Sequence, residues 1–284
     1  MRRIMAALLM GIWAMGLGLS LAEMTAFPTN VEVEKPLAAD LNGDGLEERS
    51  LWTFETDEYD EKHLCLEIDS DDGGVAHYVT RITEPAALWL APFDNPTLVV
   101  TGTGEDGAPY TYALQYAGEG YIRELLFSAD ERGLTPADHY TPYGWGVISR
   151  MSGNQIALEA PVDVLGTWLG ERTYVLNAVG RFVPEDPLWY SAARTDQPEV
   201  WENPPLVTMG ELSYTDENDR SATLPEGTAL IITSTDKQTF ARFTTRDGLT
   251  GTFTIEPGEP SYEYRYAVEG DPEEEVFEDV DYED

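Results

Sequence analysis

Few stretches of ten or more residues in this chain space their apolar positions by three and four. Short runs rich in Val, Ile, Thr, Tyr and Phe recur instead between Gly, Asp and Pro. Strands point successive side chains to opposite faces, so this patterning predicts an all-β chain. The predicted strands of the first part are Arg49–Glu55, Leu64–Ile68, Ala76–Ile82, Thr97–Gly102, Tyr110–Tyr116, Tyr121–Phe127, Gly146–Arg150, Gln155–Glu159, Thr173–Ala178 and Gly180–Pro184. Tyr110–Tyr116 and Tyr121–Phe127 flank Ala117-Gly118-Glu119-Gly120 and so form a hairpin, and Thr173–Pro184 turns similarly at Val179-Gly180. A short helix is predicted at Thr83–Leu90, interrupted by Pro85.

Composition changes at 186–205, where Pro187, Pro198, Pro204 and Pro205 sit among polar residues with Trp189 and Trp201. Proline stiffens such a stretch, which reads as a connector between domains. Strands follow at Leu206–Tyr214, Ala229–Ser234, Thr239–Thr245 and Gly251–Ile255, with turns at Asp216–Arg220, Thr235–Gln238 and Arg246–Gly248. Strands of this size with short loops predict an SH3-like barrel, although alternation alone does not separate a small barrel from an open meander. The predicted organisation is a signal peptide over 1–22, a β domain over 27–185 that is propeller-like or a sandwich, the connector over 186–205, a small barrel over 206–270 and an acidic tail over 271–284. That tail holds nine acids in fourteen residues, the composition of a solvating segment. Val276, Phe277, Val280 and Tyr282 nevertheless fall at helical spacing, so a turn that packs Phe277 and Tyr282 onto the barrel is the alternative.

The signal-peptide reading rests on Arg2 and Arg3, the apolar run Ile4 to Leu21, and Ser20-Leu21-Ala22 at the cleavage position. The run is close to the ~18 residues of a membrane span, so a retained anchor competes with cleavage; both imply export. Loss of the two arginines and no acid takes the net charge from −36 to −38. A surface of that charge repels nucleic acid and anionic membrane and attracts divalent cations. The lone Cys65 cannot close an internal disulfide, and in Leu64-Cys65-Leu66 it reads as a buried strand residue.

Cation chemistry has one local signature. Asp40-Leu41-Asn42-Gly43-Asp44-Gly45-Leu46-Glu47-Glu48 sets oxygen ligands at alternate positions around a turn that glycines permit. In the twelve-residue calcium loop the ligands fall at positions 1, 3, 5, 7, 9 and 12, with Gly at 6. Asp40, Asn42, Asp44, the Leu46 carbonyl and Glu48 fill positions 1 to 9, and Gly45 stands at 6. Position 12 is Leu51, so the loop reads as a shorter variant that ends in a strand and takes a further ligand from Asp57, Asp60 or water. The competing reading is a metal-free double turn of Asn-Gly and Asp-Gly.

Ala38 to Arg49 resembles the calcium loops of FG-GAP and VCBS-type repeats of exported bacterial proteins, in which the loop leads directly into a strand. The stretch from Leu224-Pro225-Glu226-Gly227-Thr228 through Thr235-Asp236-Lys237 to Thr245-Arg246-Asp247-Gly248-Leu249-Thr250-Gly251 is similar to bacterial SH3-like modules, and Val268 to Phe277 looks like the tail such proteins carry. The resemblance implies β sheets of propeller or sandwich type and a binding role at the bacterial surface. Only one complete loop is present, Glu105-Asp106-Gly107 being a fragment of a second.

Catalytic signatures are weak. The histidines are His63, His77 and His139; His63 and Cys65 share a strand face and could mimic a dyad, but without the sequence context of cell-wall peptidases. There is no G-x-S-x-G, H-E-x-x-H or P-loop, and one Cys with scattered His makes a poor zinc signature. Carboxylate pairs are unavoidable among 53 acids and therefore uninformative. Trp89, Trp145, Trp168, Trp189 and Trp201 could stack sugars, though in a β protein such residues more often fill cores. The expected function is that of a secreted or cell-surface, non-catalytic protein that binds Ca²⁺ and a peptide or cell-wall polymer. The rival is a secreted carbohydrate-active or cell-wall hydrolase using a carboxylate pair.

Overall fold

The computed structural model describes residues 29–70, 73–93, 95–128, 140–193, 201, 206–258, 265–278 and 280–282. They are nearly all strand and form three sheets. In chain order the first strands are β1 (Thr29–Asn30), β2 (Leu37–Ala39), β3 (Glu48–Thr56), β4 (Lys62–Asp69), β5 (Val75–Val79), β6 (Ile82–Pro92), β7 (Pro96–Gly104), β8 (Pro109–Tyr116) and β9 (Ile122–Glu124). Next come β10 (Leu126–Ser128), β11 (Tyr140–Thr141), β12 (Tyr143–Trp145), β13 (Val147–Ser152), β14 (Gln155–Asp163), β15 (Thr167–Leu176), β16 (Arg181–Pro184) and β17 (Trp189–Ser191). The last are β18 (Leu206–Val207), β19 (Leu212–Thr215), β20 (Ser221–Leu224), β21 (Ala229–Thr235), β22 (Phe240–Thr245), β23 (Thr250–Pro257), β24 (Tyr266–Val268) and β25 (Asp271–Pro272), followed by the one-turn helix α1 (Glu273–Val276).

Strands β2-β3-β4-β5 make an antiparallel four-stranded sheet, and β1-β6-β7-β8-β12, with β9 on β8, make a six-stranded one. Strand β7 shows why the two stack. Its apolar run is buried on both faces, because Leu98 and Val100 point to one core and Val99 to another. In the first of these cores Leu98 and Val100 meet Trp52, Leu64, Leu66 and Ile68 of the four-stranded sheet. On the opposite side Val99 and Ala113 meet Phe127, Ile156, Leu158, Tyr174 and Phe182 of the large third sheet. Further along β14 the same face continues as Ala160 and Val162 into a third core, built mainly by β18 to β24. The first part is thus a stack of sheets, the sandwich alternative of the two predicted.

The segment predicted as a helix, Thr83–Leu90, lies within β6. Pro85 has no N–H for a helical bond, and the register of β6 on β7 shifts between Ile82 and Glu84 and again between Pro85 and Ala87, so bulges absorb the proline. The predicted strand Tyr121–Phe127 divides at buried Leu125: β9 stays on β8 while β10 joins β11 and, in parallel, β16. Both predicted hairpins are present, with β8 pairing β9 and β15 pairing β16.

The C-terminal strands wrap one core in which Tyr214, Phe243, Phe253 and Phe277 follow one another at ring separations of 5.3, 5.3 and 6.0 Å. Their ladder runs from β18 through β21, β22 and β23 to β19 and β20, and among the described residues it does not close. No closed barrel is found among the described residues where an SH3-like one was expected; the β18 end is bridged to the tail by Thr208 and Phe277. The predicted strand Leu206–Tyr214 breaks at Met209-Gly210-Glu211 into β18 and β19. Part of the expected connector is itself sheet: β17 pairs with both β15 and β21, and Trp189 lies in the C-terminal core between the cations of Arg172, 5.6 Å from the ring, and Lys237, 5.2 Å away. Residues 194–200 and 202–205 of that connector, and the expected signal peptide, lie outside the described residues.

The acidic tail is docked. Buried Glu273 accepts hydrogen bonds from Arg265 N (2.9 Å), Tyr266 N (3.1 Å) and the Tyr282 hydroxyl (2.6 Å), while Thr167 N donates to Asp281 O at 2.9 Å. Phe277 is 1% exposed, so the packed alternative describes this segment and the solvating one does not. Truncating it, Phe277→Ala, is expected to cost roughly 3 to 5 kcal/mol in urea unfolding, whereas a solvating tail predicts no change.

Burial holds the Glu273 carboxyl above its usual range despite the three donors. Its charged form is therefore disfavoured in the folded state. The stabilisation is complete below 4.5, the ordinary value of a glutamate carboxyl, and declines as pH rises through the raised one. Relative to wild type, Glu273→Gln should therefore gain stability on going from pH 4 to pH 7; an unchanged or shrinking difference contradicts the assignment.

Candidate metal sites on the four-stranded sheet

The predicted ligand loop joins β2 to β3, whose ladder closes with Ala39 opposite Glu48. Gly43 and Gly45 take φ of +78° and +88°, values that favour glycine over residues with a Cβ. Asp40 accepts from Gly43 N through Oδ1 (2.7 Å) and from Gly45 N through Oδ2 (2.9 Å), which curls the loop around this first carboxylate. Asn42 Oδ1 accepts from Asp44 N at 2.9 Å and Asp44 Oδ1 from Leu46 N at 2.8 Å. Asn42 Nδ2 donates to Asp44 Oδ2 at 2.9 Å. Glu48 is 3% exposed, and its Oε2 accepts from Leu41 N at 2.6 Å. The Leu41 side chain is itself buried in the first core, so this bond ties the loop to the interior.

Asp40, Asn42, Asp44, Leu46 and Glu48 thus share one turn, but Asp57 and Asp60 stand elsewhere. They lie in the β3–β4 turn, beyond the nine residues of β3, roughly 30 Å from Glu48 along an extended strand. They cannot complete this loop. Asp57 is occupied at its own turn by Tyr59 N (2.8 Å), Glu61 N (3.0 Å) and His63 Nε2 (3.3 Å).

Two other groups were not legible beforehand. Among the described residues, ligand atoms lie within 4.8 Å of one another in Glu55, Cys65 and His77 and again in Asp57, Glu61 and His63; the Asp40–Glu48 carboxylates form no such triplet. In the second group, a hydrogen bond with Glu105 holds the Glu61 carboxyl above its usual range. The His63–Cys65 dyad does not form. Cys65 Sγ donates to the His63 carbonyl oxygen at 3.4 Å, while the His63 ring turns to Asp57. Burial, and then the Glu55 charge, push the Cys65 thiol up to about 11. His139 lies outside the described residues.

The five tryptophans named as stacking candidates all contribute to the cores or lie in the interior. Trp189 and Trp201 are buried, and Trp89, Trp145 and Trp168 are half-buried against the cores. An open groove of about 570 Å³ is lined by Met209, Glu274, Phe277, Glu278 and Val280. No described helix is long and apolar enough to cross a membrane.

Fold and site together define an all-β protein with oxygen-rich and mixed-ligand clusters on one sheet. Comparison with family models, with curated proteins and with solved structures finds no match.

A thiol 1% exposed and held protonated at neutral pH is a poor nucleophile. Without added metal, Cys65 should label with iodoacetamide at pH 7.5 at least about a hundredfold more slowly in the native protein than in urea. Comparable rates contradict the buried assignment.

Proposed function

We propose that this is an exported, non-catalytic protein whose Asp40–Glu48 loop binds Ca²⁺ and so rigidifies the first sheet, leaving the molecule to bind a peptide or cell-wall polymer outside the cell. The observation that carries the reading is the loop: five oxygen donors on one turn, three of them carboxylates, a donor set suited to a hard divalent cation. The amide bonds to Asp40 and Asp44 are compatible with this, because each carboxylate oxygen keeps a second lone pair. With no protein ligand at position 12, water completes the shell. The affinity expected is that of extracellular modules, about 10⁻³ to 10⁻⁴ M.

Nothing comparable supports the hydrolase reading. Of the acids held above their usual range, buried Glu273 is engaged by three structural donors, and Glu61 is hydrogen-bonded with Glu105. Acidic Glu274 and Glu278 in the open groove favour a ligand that carries cationic groups.

Calorimetry should show calcium binding in the wild type and none in Asp44→Ala. At ~10 mM calcium the wild type should gain about 1.4 to 2.7 kcal/mol of unfolding free energy for affinities in this range. Absence of calcium heat at millimolar ion in the wild type overturns the site. Pull-down with purified cell wall should be reduced by chelator. Release of reducing sugar or muropeptide by the purified protein, abolished by substituting one acid, replaces this function with the hydrolase.

A further inference from the structure

We propose that Glu55, Cys65 and His77 form a second, separate cation site, selective for a borderline-soft divalent metal of the zinc class. Three adjacent strands build it. Cys65 on β4 faces Thr53 on β3 and Val79 on β5, and these pairings set all three residues on the sheet face turned away from the first core. Glu55 lies two residues beyond Thr53 and His77 two residues before Val79, so they flank Cys65 on opposite diagonals. Their side chains nonetheless meet: His77 Nε2 and Glu55 Oε1 are 2.8 Å apart. The sulfur is therefore roofed by an imidazole and a carboxylate, which is why a residue on an outward face is 1% exposed.

A plain surface ion pair needs no sulfur beneath it, and the chain's one cysteine occupies that position. The three ligand atoms lie within 4.8 Å of one another. Zinc bonds of about 2.0 to 2.3 Å in tetrahedral array put ligand atoms roughly 3.3 to 3.8 Å apart, so small side-chain rotations open the existing contact to the required spacing. The donor set of one thiolate, one imidazole and one carboxylate matches zinc and its congeners and is a poor match for calcium or magnesium. As the sulfur–metal bond forms the thiol proton passes to solvent. Thiolate and carboxylate then balance the dication, with neutral imidazole as third ligand and water in the fourth position. Because the strands fix the backbone, little ordering is needed on binding. The adjacent Asp57, Glu61 and His63 group lacks sulfur and belongs to the β3–β4 turn.

The probe is cobalt(II), which gives a near-ultraviolet charge-transfer band only when a thiolate coordinates it. With a single cysteine in the chain, any such band reports Cys65. Titration of the full protein should raise the band to saturation at one equivalent, and zinc should remove it. His77→Ala and Glu55→Gln change exposed side chains and keep the fold; each should weaken binding by roughly tenfold or more, a scale set by the loss of even an outer partner. His63→Ala and Asp44→Ala should leave the midpoint unchanged, which separates this site from the neighbouring group and from the calcium loop. Absence of a band at ~1 mM cobalt, or a wild-type midpoint in both His77→Ala and Glu55→Gln, overturns the proposal.

Discussion

The stack depends on β7 being buried on both faces, and two buried threonine hydroxyls tie the seam where the chain passes from one sheet to the next. Thr101 on β7 and Thr111 on β8 face each other across the ladder with their Oγ1 atoms 2.8 Å apart. The Thr111 hydroxyl donates to Gly146 O at 2.8 Å, and Ile148 N donates to Thr101 Oγ1 at 3.1 Å. Gly146 and Ile148 lie where the chain leaves the six-stranded sheet at β12 and enters the large sheet at β13. Buried peptide groups at such a crossing have no ladder partner, and an unmet one costs about 1 to 3 kcal/mol. The hydroxyl chain meets two of them. Gly144 serves the same crossing, since a Cβ there stands 2.6 Å from Leu158 and 2.8 Å from Phe127.

Period-two patterning made most of this fold legible, because a strand between two cores must be apolar on both faces and a strand over one core must alternate. The Leu98-Val99-Val100 run and the Tyr110–Tyr116 hairpin are cases where local pattern and tertiary burial agree. The failures have local causes. Pro85 was read as a flaw in a helix, when bulges in an antiparallel pair accommodate it as well. Leu125 is apolar like its neighbours, so nothing in Tyr121–Phe127 signals that β9 and β10 belong to different sheets. Trp189 lay in a proline-rich stretch, and neither its strand nor its place in the C-terminal core follows from local composition. Charge dominated the tail, yet Phe277 and the Tyr282–Glu273 bond decide its packing.

Legibility of the sites followed the same rule. The Asp40–Glu48 loop is contiguous, so its residues stand on one hairpin whatever the fold, but its carboxylates form no triplet within 4.8 Å, and Glu48 is buried and bonded from Leu41. Its supposed partners Asp57 and Asp60 failed because an extended strand carries the chain away from the loop. Glu55, Cys65 and His77 sit on three strands separated by turns, and only the register makes them neighbours. The available signal was parity: His63 and Cys65 share a face. That signal picked the wrong histidine, because the His63 ring turns to Asp57 in the β3–β4 turn while the Glu55 and His77 side chains reach toward Cys65 from the two neighbouring strands.

The central claim is that calcium acts on the β2–β3 hairpin through the amides that now hold its oxygens. Hydrogen–deuterium exchange of the full protein, with calcium at ~10 mM and with chelator, reads those amides directly. Binding predicts slower exchange in peptides covering Leu37 to Ser50, where Leu41, Gly43, Asp44, Gly45 and Leu46 donate to the loop. It predicts no comparable change in the C-terminal strands, and loss of the effect in Asp40→Ala. Exchange that is indifferent to calcium, or a calcium effect that survives Asp40→Ala, contradicts the account.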